Sequence, residues 1–98
     1  MLKQEFTLEI TADNEFSIIN RIVNVLNRRR VRIKRLIAHE DENDFRSGRA
    51  VLLLYTTRDM IEKVKHQLEK LIEVEEAVYT EGAQMFYDLA ERSTRQLA

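Results

Sequence analysis

Apolar residues recur along the chain with two different spacings, and each change of spacing marks a predicted element. Residues 6–10 alternate between apolar and polar side chains, which indicates a half-buried strand. Residues 16–29 carry apolar side chains every three or four positions, as on one face of an amphipathic helix. Asn14 is the predicted N-cap of this helix, since its short side chain can accept a backbone N–H. Residues 31–39 return to a spacing of two, which predicts a second strand.

The second half of the chain repeats this order. Residues 49–56 are apolar on both faces, which is typical of a central strand covered on each side. Thr56 and Thr57 can both cap the helix that follows. Its predicted apolar stripe comprises Met60, Ile61, Val64, Leu68, Leu71 and Ile72. Residues 74–79 predict a fourth strand that ends at Gly82. The last predicted helix, residues 83–97, places on one face Met85, Phe86, Leu89 and Ala90.

The order strand, helix, strand, strand, helix, strand predicts an α+β fold of the ferredoxin-like βαββαβ type. Right-handed crossovers then give an antiparallel sheet with two helices on one face. We expect one domain over residues 1–81 and a C-terminal helical tail over residues 82–98. Leu53 and Tyr55 would be exposed on the other sheet face, so we expect either the tail or a partner to cover them.

Composition narrows the classes of function. The chain has 98 residues, a net charge of -1 and a pI near 6.1, which favours neither nucleic acid nor a membrane surface as a partner. The absence of cysteine excludes disulfides and thiol catalysis. The N-terminus lacks the apolar run of a signal peptide, which favours the cytoplasm. The longest apolar run, residues 50–55, is too short to cross a bilayer.

Few residues have a pattern typical of catalysis. His39 and His66 lack neighbouring ligands at metal spacing, and we expect both to be surface residues. The acidic residues between positions 40 and 44 have no paired acid or base, so we expect a protein without an active site of its own. A basic cluster, Arg28 to Arg30 with Arg32, Lys34 and Arg35, fits either a solvated helix end or an anion contact.

RNA-binding domains of the RRM type share this order of elements. They stack bases on aromatic side chains of the third strand. Residues 47–54, the corresponding segment here, contain no aromatic residue. The sequence therefore makes an RRM-like RNA-binding module the least favoured hypothesis, and we expect no nucleic-acid partner.

Several segments resemble the ACT domain and, more narrowly, the small regulatory subunit of acetolactate synthase (acetohydroxyacid synthase). They are Asn20-Arg21-Ile22 in the first helix, Arg28-Arg29 before the second strand, and residues 67–74, read Gln-Leu-Glu-Lys-Leu-Ile-Glu-Val. The similarity covers about residues 4 to 80. The resemblance implies a homodimer that activates a separate catalytic subunit of acetolactate synthase. The cofactors of that reaction, thiamine diphosphate, Mg and FAD, would belong to the partner, with none in this chain.

The resemblance also implies an effector, a branched-chain amino acid bound beside the loop between the first strand and the first helix. By position, the effector-binding residues are Asn14, Ser17, Ile18, Ile19 and Arg32. Ser17 and Arg32 stand where this family commonly has Gly and Asn. Since a Cβ at position 17 obstructs close approach to the backbone, we expect weak or absent valine feedback.

Two further expectations concern assembly, and one alternative function stays open. The second strand, or the neighbouring helix, is expected to join two copies, because it is an edge strand without a protecting proline. The helical tail is expected to matter for solubility or for the complex with the catalytic subunit. A second hypothesis, a stand-alone ACT-type amino-acid sensor or dimerisation module with another partner, stays open.

Overall fold

The computed structural model describes residues 2–15 and 17–97, with side chains described through residue 92. Its elements are β1 (Gln4–Asp13), α1 (Ile18–Arg28), β2 (Arg32–Glu40), β3 (Ser47–Thr56), α2 (Arg58–Glu69), β4 (Val74–Glu81) and α3 (Gln84–Leu97). The predicted elements are thus confirmed, with ends that differ by a few residues. Phe16, which the sequence placed in the first helix, lies outside the described residues.

The four strands form one antiparallel sheet in the order β2-β3-β1-β4. This is the predicted ferredoxin-like arrangement, in which the first and third strands are central. β2 and β4 are the two edges of the sheet. The pairing of β2 with β3 shifts between Ile33 and Arg35, which indicates a bulge near the start of this edge strand.

The main core lies between the inner face of the sheet and helices α1 and α2. From the central strands come Phe6, Leu8, Ile10, Ala50, Leu52 and Leu54. Ile18, Ile22 and Leu26 of α1 recur at a spacing of four, so they share one face of the helix and pack on these strands. The α2 side chains in this core are Ile61, Val64 and Leu68. Ile72 is 96% exposed, so its predicted place in the stripe of α2 is wrong, because the helix ends at Glu69.

The outer face of the sheet is covered by α3. Phe86 is buried against Val51 and Leu53 of β3, with Leu89 and Ala90 beside it. Of the two predicted covers, the tail therefore covers this face, within a single chain. The predicted apolar face of the tail is wrong at Met85, which is 42% exposed, because the helix turns Phe86 toward the sheet instead.

The turn into α3 is held on β1. Gly82 has a φ of +83°, a left-handed conformation that suits a residue without a Cβ. Its N–H donates to the carbonyl of Glu5 at 2.7 Å, and its own carbonyl accepts from the Thr7 hydroxyl at 2.8 Å. These two bonds direct the chain from the edge of the sheet across its outer face. Among the described residues, no helix is long and apolar enough to cross a membrane.

Candidate functional site

A cleft of about 190 Å³ opens beside the loop between β1 and α1. The N-terminal part of α1 forms one wall, and the adjoining ends of β2 and β3 form the other. Its lining residues are Ile10, Ala12, Asp13, Asn14, Glu15, Ile18, Ile19, Ile22, Ala38, His39, Glu40, Gly48, Arg49 and Ala50. This is smaller than the roughly 300–1,000 Å³ of sites for drug-sized ligands, so the cleft suits a small metabolite.

The floor and rim of the cleft differ in chemistry. The floor is apolar, because Ile10, Ile22 and Ala50 are buried residues of the main core. Carboxylates of Asp13 and Glu15 lie at the rim. The start of α1 adds the positive end of a helix dipole, although the N–H of Ile18 already donates to the Glu15 carbonyl at 3.2 Å.

Asn14 connects the two loops that frame the cleft. Its backbone N–H donates to the carbonyl of Arg46 at 2.8 Å, and its side-chain amide donates to the carbonyl of Phe45 at 2.9 Å. The prediction that Asn14 caps α1 is therefore wrong. Ser17 occupies the N-cap position and makes no side-chain capping bond. Asn14 instead bonds the loop after β2, because β1 continues to Asp13 and keeps Asn14 beside that loop.

The five residues predicted to bind an effector do not all meet in one chain. Asn14, Ile18 and Ile19 line the cleft. Ser17 is exposed at the helix start and is not among the lining residues. Arg32 begins β2 opposite Tyr55, whereas the cleft lies at the other end of that strand, near Glu40. Neither Ser17 nor Arg32 obstructs the cleft within one copy, so the expected effect of each on valine binding stays a prediction.

The structure adds lining residues that the sequence did not indicate. His39, Glu40, Gly48 and Arg49 reach the cleft because β2 and β3 pair there. Arg49 lies 3.3 Å from Glu9 in an ion pair. Nothing in the local sequence marks these residues, since their nearness to α1 depends on the packing of that helix on the sheet.

The two predicted surface histidines differ. His66 is exposed on α2, with its ring nitrogens 3.8 Å from Glu62 and 3.5 Å from Glu69. His39 is only partly exposed, and its Nδ1 is buried without a hydrogen-bond partner among the described residues. The expectation that both histidines are surface residues therefore holds for His66 and only in part for His39. No group of three or more metal-ligating side chains occurs in the described part of the chain.

The outer sheet face differs from the surface on which RRM-type domains stack bases. The described part of α3 lies across it, and Phe86 buries the side chains of Val51 and Leu53. Tyr55 is the one aromatic residue of β3, and it is only 37% exposed. This arrangement gives no open aromatic platform on β3 for RNA.

The fold is that of ACT domains. The ACT domain of a GTP pyrophosphokinase from Chlorobium tepidum has 13% identity and a TM-score of 0.69, over 80% of this chain and 99% of that one. The small subunit of acetolactate synthase from Thermotoga maritima has 22% identity and a TM-score of 0.69, over 78% of this chain and 47% of that one. A homoserine dehydrogenase from Thiobacillus denitrificans has 15% identity and a TM-score of 0.68, over 82% of this chain and 17% of that one.

These identities establish the fold and no more. The chain spans about half of the Thermotoga maritima small subunit. No family profile matches the chain, and no curated protein does so either.

Proposed function

We propose that this chain is a non-catalytic regulatory subunit that binds and activates the catalytic subunit of acetolactate synthase. The observation that carries the proposal is the cleft beside the β1–α1 loop, which lies where the sequence resemblance puts an effector and includes Asn14, Ile18 and Ile19. The ACT fold and its likeness to a small subunit of that enzyme support the same function. In this proposal thiamine diphosphate, Mg and FAD are held by the partner in the cytoplasm.

The proposed effector is a small branched-chain amino acid. Its side chain would pack on the apolar floor at Ile10 and Ile22, its ammonium group would face the carboxylates of Asp13 and Glu15, and its carboxylate would face the start of α1. Such a ligand is small enough for the cleft. It also has an apolar group for the floor, a positive group for the carboxylates and a negative group for the helix start.

The proposed activation is tested with the catalytic subunit of acetolactate synthase from the same organism. We expect the two chains to co-purify when co-expressed, and we expect acetolactate formation to rise with added chain until the subunits are equimolar. Valine, leucine and isoleucine are then added separately. A catalytic subunit that neither retains this chain nor changes its rate in its presence would overturn the proposal.

The effector site is tested separately on the isolated chain. Ala38 lines the cleft on β2, so Ala38→Leu adds three carbons there and is expected to reduce ligand binding. Lys63→Leu on the exposed face of α2 is the control, because Lys63 is absent from the lining. Titration calorimetry with each amino acid measures binding. Equal affinity in the wild type and both variants would place the ligand elsewhere.

A stand-alone ACT-type amino-acid sensor with another partner is the second candidate. The observation that favours it is the similar likeness to the ACT domain of a GTP pyrophosphokinase and to a homoserine dehydrogenase, with TM-scores of 0.69 and 0.68. Both candidates use the same cleft. Ligand binding without any effect on acetolactate synthase would favour the sensor.

A further inference from the structure

A furrow runs along the side of α1 that faces α2 and the loop after it. It consists of two adjoining hollows of about 510 and 550 Å³, and Val25 and Arg28 line both. The first hollow lies between the end of α1 and two side chains of α2, Met60 and Gln67. The second lies between α1 and the loop that joins α2 to β4. Each is more than twice as large as the cleft beside the β1–α1 loop, so the furrow suits a larger occupant.

Four positive side chains at the edge of the furrow lack an acidic partner within the chain. We call these residues the basic rim: Arg28, Arg29, Arg30 and Lys70. None of them makes an ion pair with a described residue. The acids that line the furrow, Asp13, Glu15 and Glu73, lie toward the start of α1, where Glu73 is paired with Arg21. The repulsion within the basic rim is therefore uncompensated and favours an acidic occupant.

Arg30 in this rim holds an unfavourable backbone conformation. Its φ is +55°, in the left-handed region that favours glycine. The position follows the C-cap of α1: the N–H of Arg30 donates to the Asn27 carbonyl and the N–H of Val31 donates to the Leu26 carbonyl. This is the Schellman arrangement, in which glycine is the usual residue. An arginine kept there against a local cost indicates a use for its side chain.

Apolar side chains lie between these charges. Val25, Met60 and Leu71 are half-buried in the furrow, and Ile72 beside them is 96% exposed. Transfer of such a side chain out of water is favourable, and nothing in the described chain covers it. An apolar centre flanked by arginine and methionine is typical of a surface that binds another protein. A phosphate or another small anion would leave this apolar part of the furrow uncovered.

The walls of the furrow determine the form of its occupant. α1 and α2 bond their backbone groups internally, so they offer no row of backbone partners to an extended segment. A helix satisfies its own backbone and needs only an apolar stripe for the centre and carboxylates for the basic rim. The lining of α1 runs from Arg21 to Arg28, about 10 Å, which is two turns of a helix. So short a helix persists only as part of a folded protein.

We propose that an acidic amphipathic helix of the catalytic subunit docks in this furrow. The assignment rests on the proposed function, because that function supplies the partner. Carboxylates of the docked helix pair with the basic rim, and its apolar stripe covers Ile72 and Val25. Asp13 and Glu15 line both the furrow and the effector cleft. An effector bound at that loop therefore alters the surface that the catalytic subunit contacts.

A nucleic acid is the other macromolecule with the required negative charge. Bases bound as single strands stack on aromatic side chains, and none of the described residues that line the furrow is aromatic. The three acids near the start of α1 would also repel phosphates. The lining therefore favours a protein helix over RNA or DNA.

The test measures the affinity of the full chain for the catalytic subunit by biolayer interferometry. Arg28→Glu with Arg30→Glu reverses two charges of the basic rim and is expected to raise the dissociation constant by about ten-fold or more. Ile72→Ser removes the exposed apolar contact and is expected to raise it by about five-fold. Arg35→Glu with Arg46→Glu is the matched control, because it changes the net charge equally at two exposed residues outside the furrow. We expect no change in this control.

Salt dependence separates charge pairing from a structural effect of the substitutions. The dissociation constant of the wild type should rise with ionic strength, and it should rise less for the variant with two reversed charges. Circular dichroism checks that each variant is folded. If the double variant is not folded, Ile72→Ser decides, since this side chain is exposed and contributes little to the core.

Crosslinking locates the partner on the chain. The chain has no cysteine, so Asn24→Cys in the furrow and Asn43→Cys on the β2–β3 loop can each be labelled alone with a benzophenone maleimide. We expect the label at position 24 to crosslink to an acidic helical segment of the catalytic subunit. The label at position 43 is the control and is expected to crosslink weakly.

The outcomes separate this proposal from the proposed function. A catalytic subunit that is bound and activated equally by the wild type and the furrow variants would overturn the docking site alone. A catalytic subunit that binds no form of the chain would overturn both. Equal weakening by the control, or crosslinks from position 43 alone, would place the partner elsewhere. Binding of a short single-stranded RNA that the basic-rim variant abolishes, with unchanged affinity for the catalytic subunit, would assign the furrow to nucleic acid instead.

Discussion

Among the described non-glycine residues, Arg30 alone has a positive φ, at +55°. The left-handed conformation costs an L-residue about 1–2 kcal/mol, because Cβ approaches the carbonyl oxygen. The cost is tolerated because Leu26 and Val31, on either side of the turn, are both buried in the main core and determine the path of the chain.

We therefore expect Arg30→Gly to raise the free energy of unfolding by about 1 kcal/mol, since glycine adopts this conformation without steric cost. Urea denaturation is the measurement. Arg29→Gly is the control: Arg29 has a φ of -98°, so glycine there should destabilise. If the free energy of unfolding of Arg30→Gly is no higher than that of Arg29→Gly, the backbone at Arg30 is not strained.

The phenol of Tyr79 joins β4 to α2. Its hydroxyl donates to the carboxylate of Glu62, and its ring meets that of Phe6 edge-on at 5.7 Å between centroids. The hydrogen bond to this carboxylate raises the pKa of Tyr79 above its usual value of 10.0. Because the pKa is raised on folding, the stabilisation is present below pH 10 and is lost as pH rises through the folded-state pKa.

Glu62→Gln is expected to lower the pKa of Tyr79, since the amide removes the negative charge that opposes ionisation of the phenol. Ultraviolet absorbance of the phenolate measures this in a background of Tyr55→Phe and Tyr87→Phe, which leaves one tyrosine. Glu69→Gln, on the same helix, is the control. If both substitutions leave the titration unchanged, the hydrogen bond is absent in solution.

At the scale of the element, Phe86 is the most deeply buried of the described side chains of α3, and Leu89 and Ala90 pack beside it. Phe86 is 1% exposed and packs on Val51 and Leu53, whereas Met85 and Tyr87 on either side of it are 42% and 48% exposed. The guanidinium of Arg35 lies 5.8 Å from the centre of the Tyr87 ring, which adds a weaker contact at the surface.

Phe86→Ala should lower the free energy of unfolding by about 3–5 kcal/mol, because it leaves a cavity under the helix. Met85→Ala, the exposed control, should change it by about 0.5 kcal/mol or less. Thermal denaturation of both proteins gives the comparison. Equal effects would mean that α3 does not lie on the sheet through Phe86.

Deletion of the whole tail tests if the rest of the chain needs α3. Truncation after Gly82 is expected to keep the sheet and the first two helices, since their core does not include α3. It exposes Val51 and Leu53, so the shortened chain should bind an apolar dye and lose solubility. A truncated chain as soluble as the full chain, with the same activation of acetolactate synthase, would mean that α3 is dispensable.

For the whole molecule, the order of the sheet determines where backbone amides are protected. β1 and β3 have a neighbour on each side, while β2 and β4 each have one free edge in a single copy. We expect amide hydrogen exchange to be slow in β1 and β3 at all concentrations. If copies pair through β2, its exchange should slow as concentration rises while that of β4 stays constant. Protection of β4 instead would contradict pairing through β2.

Much of this architecture follows from local patterns. Residues 6–10 alternate because a strand has a period of two, and residues 58–69 repeat at three and four because a helix has 3.6 residues per turn. The order of the elements, with the handedness of crossovers, then leads to an antiparallel ferredoxin-like sheet. Of the two predicted caps of α2, Thr56 and Thr57, it is Thr57 whose hydroxyl accepts the N–H of Met60, at 3.2 Å. Capping could be predicted because it depends on residues only three apart.

The site was predictable only in part. Asn14, Ile18 and Ile19 could be placed near a cleft from sequence because they lie on one loop and the start of one helix. The role of Asn14 was predicted wrongly, since its hydrogen bonds go to Arg46 and Phe45, more than thirty positions along the chain. The sequence also left undecided what covers the outer face of the sheet. Phe86 could have packed on β3 of the same chain or on a partner, and β3 is distant from it along the chain.

The sequence by itself thus determined the elements, their order and the apolar face of most of them, because each depends on residues a few positions apart. Only the tertiary structure decided that Gly48 and Arg49 line the cleft with α1, that α3 covers β3, and that Arg32 lies at the far end of β2 from the cleft. Those relations join residues distant along the chain, and they arise when the faces of several elements pack together.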